Sequence, residues 1–472
     1  MVEKTVLEER EYQTKVLKFL REKFAEGKNV IVELDCGLGK RVLTYLLVQH
    51  EFPGLKFLVL LHSASSLLET SHYLKDNYGG VNGMEYLSSR TPPRLRLEAF
   101  QKARVVLSTP QVTLNILKKQ EAAGNFFDVV LINEVDKLVL RQAHKTSLTF
   151  PWNKLLPIFF RWKAWIVGMS GTLRDTHVAK KGDDYGITPE LKTIMQTIPK
   201  STTLSMSDLV KNTDVEKYIQ EIVIRTWGVK DDAVSAIMDE LDNLIEETKK
   251  QILDEAFEND PGAVKGKPWR EIARLVSYLP ISTDLKERYN ALTMIRKYVT
   301  AMTPWVYRRY LSKKIGIKKE VFKNLPKTSS KIRAIPEIIG EYRAEKTVIL
   351  TSYVNTAKTI AKYLEKLGYE AFLLTGRVFD KQSLLESFRR TGNRAVIVMS
   401  PIGERDIDLP EAELLVMHDI IRTPKTVYQR LKRIRGGNVV IIFYEDTSEA
   451  RKIEEVVKTI SRRYSWSVRS VV

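Results

Sequence analysis

Cysteine is nearly absent. The 472 residues contain one, Cys36, which excludes an internal disulfide and any metal site built on a cysteine cluster. Long apolar runs are missing too. None reaches membrane-span length, and the opening MVEKTVLEER is too charged for a signal peptide. The expectation is a cytoplasmic chain with no membrane contact. Acidic charge is in deficit: 58 Asp and Glu stand against 76 Lys and Arg, a formal net charge of +18. Such a bias favours a polyanionic partner, most often nucleic acid, over a basic surface kept for solubility. What is present, 43% hydrophobic and 28% charged residues, is the composition of a globular chain with two or three cored domains.

One stretch organises the rest. Leu34-Asp35-Cys36-Gly37-Leu38-Gly39-Lys40-Arg41 follows the apolar run Val30-Ile31-Val32 and precedes a helical run, Val42 to Gln49. Strand, glycine loop and helix form the context of a phosphate-binding loop. Gly37 and Gly39 let backbone N–H groups approach phosphate oxygens, and Lys40 adds a point charge. The following position calls for a Ser or Thr hydroxyl as a Mg²⁺ ligand. Here it is Arg41.

Around this loop the chain alternates strands and helices. Lys56 to Leu61, Ala103 to Leu107, Asp128 to Ile132 and Trp165 to Met169 are apolar runs, each ending in a polar cluster. This pattern predicts a doubly wound parallel sheet with ligands beyond its C-terminal strand ends. Residues 1–27 read as an amphipathic helix, with Gln13 placed to read an adenine edge or simply to lie on the surface. Residues 173–228 read as a connector. From 229 to 326 strand signals vanish and helical periodicity dominates over Ala233 to Phe257 and Trp269 to Leu311. Basic and aromatic residues interleave there, including Arg296, Lys297, Tyr298, Arg308 and Arg309, a pattern suited to a nucleic-acid backbone. A second α/β block spans 327–458, and a basic tail with aromatics, 459–472, closes the chain. The predicted class is therefore α/β: a first parallel-sheet domain over 1–228, a helical insertion over 229–326 and a second sheet domain.

These motifs, in this order, resemble a superfamily 2 helicase, most closely the archaeal Hef and eukaryotic FANCM type of DNA-repair translocase. The glycine loop is similar to that family's Leu-Pro-Thr-Gly-Leu-Gly-Lys-Thr. Arg10-Glu11-Tyr12-Gln13 resembles its adenine motif, and Thr109-Pro110-Gln111 its Thr-Pro-Gln. Asp214 to Tyr218 resembles the segment before its helical insertion. Gly403, Asp408 and Pro410 fall on its motif V, and Gln429-Arg430 and Arg433 on motif VI. The resemblance implies two RecA-like domains, nucleotide contacts from Tyr12, Gln13, Gly37, Gly39, Lys40, Arg41, Gly403 and Asp408, and catalytic roles for Glu134, Arg433 and Gln429. It also implies nucleic-acid contacts from Ser108, Thr109, Pro110, Gln111, Thr351 and Ser352, beside the basic Arg296, Lys297, Arg308 and Arg309 of the insertion.

The departures fall on residues with catalytic duties. The Asp-Glu-Ala-His box reads Asn133-Glu134-Val135-Asp136, so the charge that holds Mg²⁺ through water is missing. Arg41 replaces the metal-binding hydroxyl, Asp406 a motif V glycine, and Gly436 the second finger arginine, with Arg435 one place away. Phosphoryl transfer rests on positioning and charge neutralisation, and a lost arginine finger alone costs roughly 10³–10⁵ in rate. The expectation is a pseudo-ATPase, with no protein-held metal. Either ATP or ADP binds without a firmly held Mg²⁺, or Arg41 fills the site and pairs with Glu134. The first reading of function is a monomeric, nucleoid-associated binder of branched or forked DNA that scaffolds a repair nuclease or other repair or replication-restart factor. The second is an active ATP-dependent translocase with an unusual site, and a third is a regulatory subunit whose main partner is a protein.

Overall fold

The computed structural model describes residues 10–118, 124–139, 150–173, 175–181, 184–308, 325–326, 328–376, 378, 380–392, 394–401, 412–420, 423–432, 434 and 436–471. The chain divides into two bodies, Met1–Ile219 and Gln220–Val472.

In the first body, helix α1 (Glu11–Ala25) leads into β1 (Asn29–Glu33), the glycine loop and α2 (Lys40–Leu46). The chain then alternates through β2 (Phe57–Leu60), α3 (Ala64–Tyr78), β3 (Met84–Leu87), α4 (Pro93–Lys102), β4 (Val105–Ser108), α5 (Pro110–Leu117), β5 (Val129–Asn133), α6 (Trp152–Arg161) and β6 (Trp165–Ser170). A hairpin, β7 (Thr176–Lys181) with β8 (Asp184–Pro189), precedes α7 (Glu190–Thr197), β9 (Ser201–Leu204) and α8 (Met206–Asn212). The sheet order is β3-β4-β2-β5-β6-β1-β9. Every neighbouring pair in it is parallel. Residues of β2, β4 and β6 are buried throughout, because helices cover both faces and apolar runs satisfy both.

The second body opens with β10 (Ile222–Val229) and then leaves the sheet, among the described residues, for the helices α9 (Asp232–Asn259), α10 (Pro261–Val264), α11 (Trp269–Leu275) and α12 (Thr283–Ala301). It returns through α13 (Ser330–Glu341), β11 (Lys346–Leu350), α14 (Val354–Lys366), β12 (Glu370–Leu374), α15 (Lys381–Arg390), β13 (Ala395–Met399) and β14 (Leu414–Met417). Helix α16 (Pro424–Leu431), β15 (Gly437–Tyr444), α17 (Ser448–Arg463) and β16 (Val468–Ser470) complete it. The parallel order is β12-β13-β11-β14-β15-β10-β16. Helix α9 buries Val234, Ile237, Met238, Leu241, Ile245, Ile252 and Ala256, a stripe at helical spacing. Its acidic Asp239, Glu246 and Glu247 stay outside that core.

Three boundaries differ from the sequence reading. The expected first-domain end at 228 lies inside β10, which pairs with β15 and β16 and so belongs to the second sheet. Residues 173–228 are no plain connector: they supply β9 to one sheet and β10 to the other. The expected tail at 459–472 is the end of α17 followed by β16, whose Val468 pairs with Ile222. The helical run over Trp269 to Leu311 breaks at Pro280, which cannot donate to a helix ladder; α11 stops at Leu275 and α12 starts at Thr283. Among the described residues no helix is long and apolar enough to cross a membrane.

Candidate functional site

In the first body the site grows from the end of β1. Leu34 N–H donates to the Ser170 carbonyl at 2.9 Å, fixing the loop to the tip of β6. Gly37 and Gly39 adopt positive φ of 87° and 71°, where only glycine is unstrained. A Cβ on Gly39 would also lie 3.1 Å from Gln13 Nε2. Tyr12, fully buried, donates from its hydroxyl to the Leu38 carbonyl at 3.1 Å and so ties α1 to the loop. Burial raises its phenol above the usual value, against the lowering pull of Arg10. Gln13 is buried beside it, its amide donating to Tyr12 Oη at 3.3 Å.

The loop spends its polar groups on itself and its neighbours. Lys40 Nζ donates to the carbonyls of Leu34 at 3.0 Å and Asp35 at 3.4 Å. Asp35 is buried, and its Oδ1 accepts the Cys36 amide at 2.7 Å, an amide of the kind such loops offer to phosphate. Arg41 reaches α3, where Nη2 meets Glu69 Oε2 at 2.7 Å and the guanidinium lies 5.7 Å from the Tyr73 ring centre. The expected alternative of an Arg41–Glu134 pair is not formed. Glu134 faces His62 Nδ1 at 3.8 Å and Lys137 Nζ at 3.7 Å instead.

The segment after β5 stands beneath the loop. Glu134 has φ 60° and ψ 54°, a left-handed conformation that is uncommon for a non-glycine residue. Asn133 Oδ1 is buried with no hydrogen-bond partner among the described residues. Asp136 accepts the Ser170 hydroxyl at 2.8 Å and lies 3.3 Å from Lys137 Nζ. Burial pulls the Lys137 ammonium down, but Asp136 and Glu134 outweigh it and hold it above its ordinary value. Gly171 is enclosed: a Cβ there would sit 3.2 Å from Lys40 Nζ and 3.3 Å from Cys36 Sγ. Gly168 is tighter still, since its Cβ would fall 2.6 Å from Val135 Cγ2. Gly168→Ala is expected to destabilise the first body by about 1–3 kcal/mol through overpacking, read as a lower urea midpoint.

Tested against a Mg²⁺–nucleotide, these residues do not fit. Position 41 offers a cation where a metal needs oxygen, and position 133 offers a neutral amide where it needs charge. Among the described residues no three His, Cys, Asp or Glu side chains are grouped to hold a metal ion. Ser108 is buried, and the Thr109 hydroxyl caps α5 by accepting from Val112 N–H at 3.4 Å, with Pro110 at the first helical position. Gln111 donates to Asn115 at 3.0 Å. The run thus caps the N-terminus of α5.

In the second body the polar cluster centres on a residue not singled out from the sequence, Asp419. It is fully buried just past β14. Its Oδ2 accepts from the Thr351 hydroxyl at 2.8 Å and the Ser352 amide at 2.9 Å, and Oδ1 accepts from the Ser352 hydroxyl. Burial alone would raise this carboxyl; His418, Arg430 and Ser352 together hold it well below the usual carboxylate range. Arg430 donates to the Thr351 carbonyl at 3.3 Å. Thr351 and Ser352 are thus brought together and oriented from below. The available signal was the His418-Asp419 pair that follows the apolar run Leu414 to Met417. Gln429 is half-buried on α16. Gly436, matched to a finger arginine, has φ 87° and turns the chain into β15, with Gln220 Cβ 3.1 Å from where its own Cβ would be. A larger residue would be strained there. Arg296 pairs with Asp242 at 2.7 Å, Lys297 is exposed on the same helix, and Arg308 is also exposed. Gly403, Asp406, Asp408, Pro410, Arg309, Arg433 and Arg435 lie outside the described residues.

The helicase conserved C-terminal domain profile matches residues 330–438, and that of the type III restriction enzyme res subunit matches residues 6–175. An ATP-dependent rRNA helicase rrp3 from Botryotinia fuckeliana is 29% identical over 98 residues, 20% of each chain. An ATP-dependent DNA helicase mph1 from Aspergillus terreus is 21% identical over 506 residues, covering 90% of this chain and 44% of the relative. The chain thus spans less than half the length of these curated relatives. The crystal structure of the Pyrococcus furiosus Hef helicase domain superposes with a TM-score of 0.59 at 18% identity, covering 95% of this chain and 98% of that one. At that identity the likeness is one of fold.

Proposed function

The chain is a helicase-related protein of superfamily 2, and from that premise we propose that it binds branched or forked DNA without turning over ATP and scaffolds DNA-repair or replication-restart factors. The observation that carries this reading is the Arg41–Glu69 ion pair. A residue due to ligate Mg²⁺ is instead a cation held by a neighbouring helix. Asn133 removes the second anchor, and the +18 charge supplies attraction for a polyanion that needs no nucleotide. DNA is preferred over RNA because one relative matched along most of the chain is named a DNA helicase. A second reading, an ATP-dependent translocase with an atypical site, draws on the retained Lys40 and Glu134.

The test is a gel-shift series with forked and linear duplex DNA across salt, with and without ATP. Fork affinity is expected to fall steeply with salt, with a log–log slope of about −4 or steeper, as several released counterions require. ATP is expected to leave that affinity unchanged. A slope near zero would remove the DNA reading and leave a protein partner. An affinity that ATP shifts tenfold, with the shift lost in Lys40→Ala, would favour the translocase.

A further inference from the structure

On the first body, helices α4 and α5 enclose a groove of about 340 Å³. Among the described residues it is lined by Pro93, Arg96 and Leu97 on one side and by Asn115, Ile116 and Lys118 on the other. None of these was expected to hold nucleotide or nucleic acid. The groove lies toward the C-terminal end of α5, away from the Thr109-Pro110 cap at its start. Its floor is apolar: Ile116 is buried, and Leu97 is half-buried against the core of the first body. Its rim is basic. Arg96 donates from Nε to the Thr91 carbonyl and from Nη2 to the Ser89 carbonyl at 2.9 Å. Lys118 is exposed, its Nζ 5.5 Å from the ring centre of Phe150. Neither cation meets a carboxylate among the described residues. Glu98 is the sole acid in the sequence of α4 and is paired with Lys102 at 2.8 Å, while α5 carries no acid.

Such a groove suits an occupant that is apolar at its centre and anionic at its edges. We propose that it docks an acidic segment of a partner protein, with one large apolar side chain seated on Leu97 and Ile116 and flanking carboxylates on Arg96 and Lys118. This rests on the scaffolding half of the function proposed above, and it names the face that a partner takes. The volume is near the lower bound, about 300 Å³, of pockets that enclose a ligand, which suits a single anchor residue rather than a whole helix. Arg96 is already oriented by two backbone carbonyls and keeps N–H donors on the same fork for a carboxylate. Little side-chain order is left to lose when a partner arrives. Charge decides between occupants. A net charge of +18 steers an acidic protein toward this chain and repels a second copy of it. Nucleic acid fits less well for a different reason. Phosphates gain nothing from an aliphatic floor, and Lys118 already lies over the Phe150 ring on which a base would stack.

The experiment uses the full chain and short fluorescein-labelled peptides, titrated by anisotropy. The first peptide sets one phenylalanine among glutamates. A second has serine in place of the phenylalanine, and a third has lysine in place of the glutamates. The first is expected to bind with a Kd of about 100 µM or tighter, and the other two at least about tenfold more weakly. Lys118→Glu and Asn115→Glu, both at exposed positions on the groove wall, are each expected to weaken the first peptide about tenfold and to leave forked-DNA affinity within about twofold. Should one variant fail to fold, the other decides the matter alone. No binding by the wild type, or equal binding of the serine peptide, would overturn the site. A matching loss of forked-DNA affinity in the variants would overturn it in favour of nucleic acid. Concentration-dependent self-association in sedimentation, abolished by Lys118→Glu, would overturn it in favour of a second copy. Peptide binding of the expected pattern, in a protein with no salt-dependent DNA binding, would support the groove and sink the DNA reading alone.

Discussion

Lys331→Met is expected to lower the stability of the second body by about 3–5 kcal/mol, a fall of roughly 6–20 °C in its thermal midpoint. Lys331 has no exposed surface. Its ammonium meets Glu449 Oε1 at 2.7 Å, donates to the Thr300 carbonyl at 3.0 Å and lies 4.7 Å from the Tyr444 ring centre. Methionine fills the stem's volume but leaves the buried Glu449 carboxylate without its cation, and that uncompensated charge dominates the cost. Packing loss is the smaller effect. The double variant Lys331→Met with Glu449→Gln separates the two. It retains an acceptor for the Tyr444 amide, which Glu449 Oε2 now takes at 2.9 Å, and it removes both charges. It is therefore expected to recover more than half of the single variant's loss. Equal losses in single and double variants would mean that packing around the stem, rather than the ion pair, joins α12, α13 and α17.

The same residues mark how far the sequence could be read. The cores of β1, β2, β5 and β6 were legible because strands buried on both faces must be continuous apolar runs, and Val129 to Ile132 is one. Strand β10 was not. Only Ile222 and Ile224 of its eight residues are buried, so it carries no such run. It also pairs with Gly437–Tyr444, some two hundred positions later, a partnership no local window contains. Strand β16 is three residues long and is defined by its pairing with β10 alone. The glycine loop was legible through spacing, and its departures at Arg41 and Asn133 through chemistry. What those departures do instead was not. Glu69 lies 28 residues from Arg41, and Glu449 lies 118 from Lys331. Gly436 is instructive in another way. By alignment it is a lost arginine; by its positive φ it is a turn that a side chain would strain. A motif that slips by one position and a loop that needs glycine look alike until the backbone is seen.

ATP hydrolysis by this chain is expected to stay below about 1 s⁻¹, the low end of ordinary enzyme turnover, with or without forked DNA. Charge placement drives this expectation. A transferring phosphoryl group needs metal charge on its β and γ oxygens and a protein framework that fixes that metal. Arg41 carries a positive charge, but it points to Glu69 and is partly neutralised there. Asn133 brings no charge, and its Oδ1 has no hydrogen-bond partner among the described residues. Asp35 already occupies the Cys36 amide. Reversion offers the sharper measurement. Arg41→Thr with Asn133→Asp supplies the missing hydroxyl and carboxylate while removing a cation from the loop. In calorimetry, wild-type affinity for ADP should be indifferent to Mg²⁺. The double variant should show a Mg²⁺-dependent gain of about tenfold or more, the smallest change that a restored metal contact of about 1.4 kcal/mol would give. Its released Glu69 is partly solvated and should cost little. A variant indifferent to Mg²⁺ would place the defect elsewhere, with Asp35 next to be changed. Wild-type turnover above about 1 s⁻¹ that Lys40→Ala abolishes would instead establish the chain as a working motor.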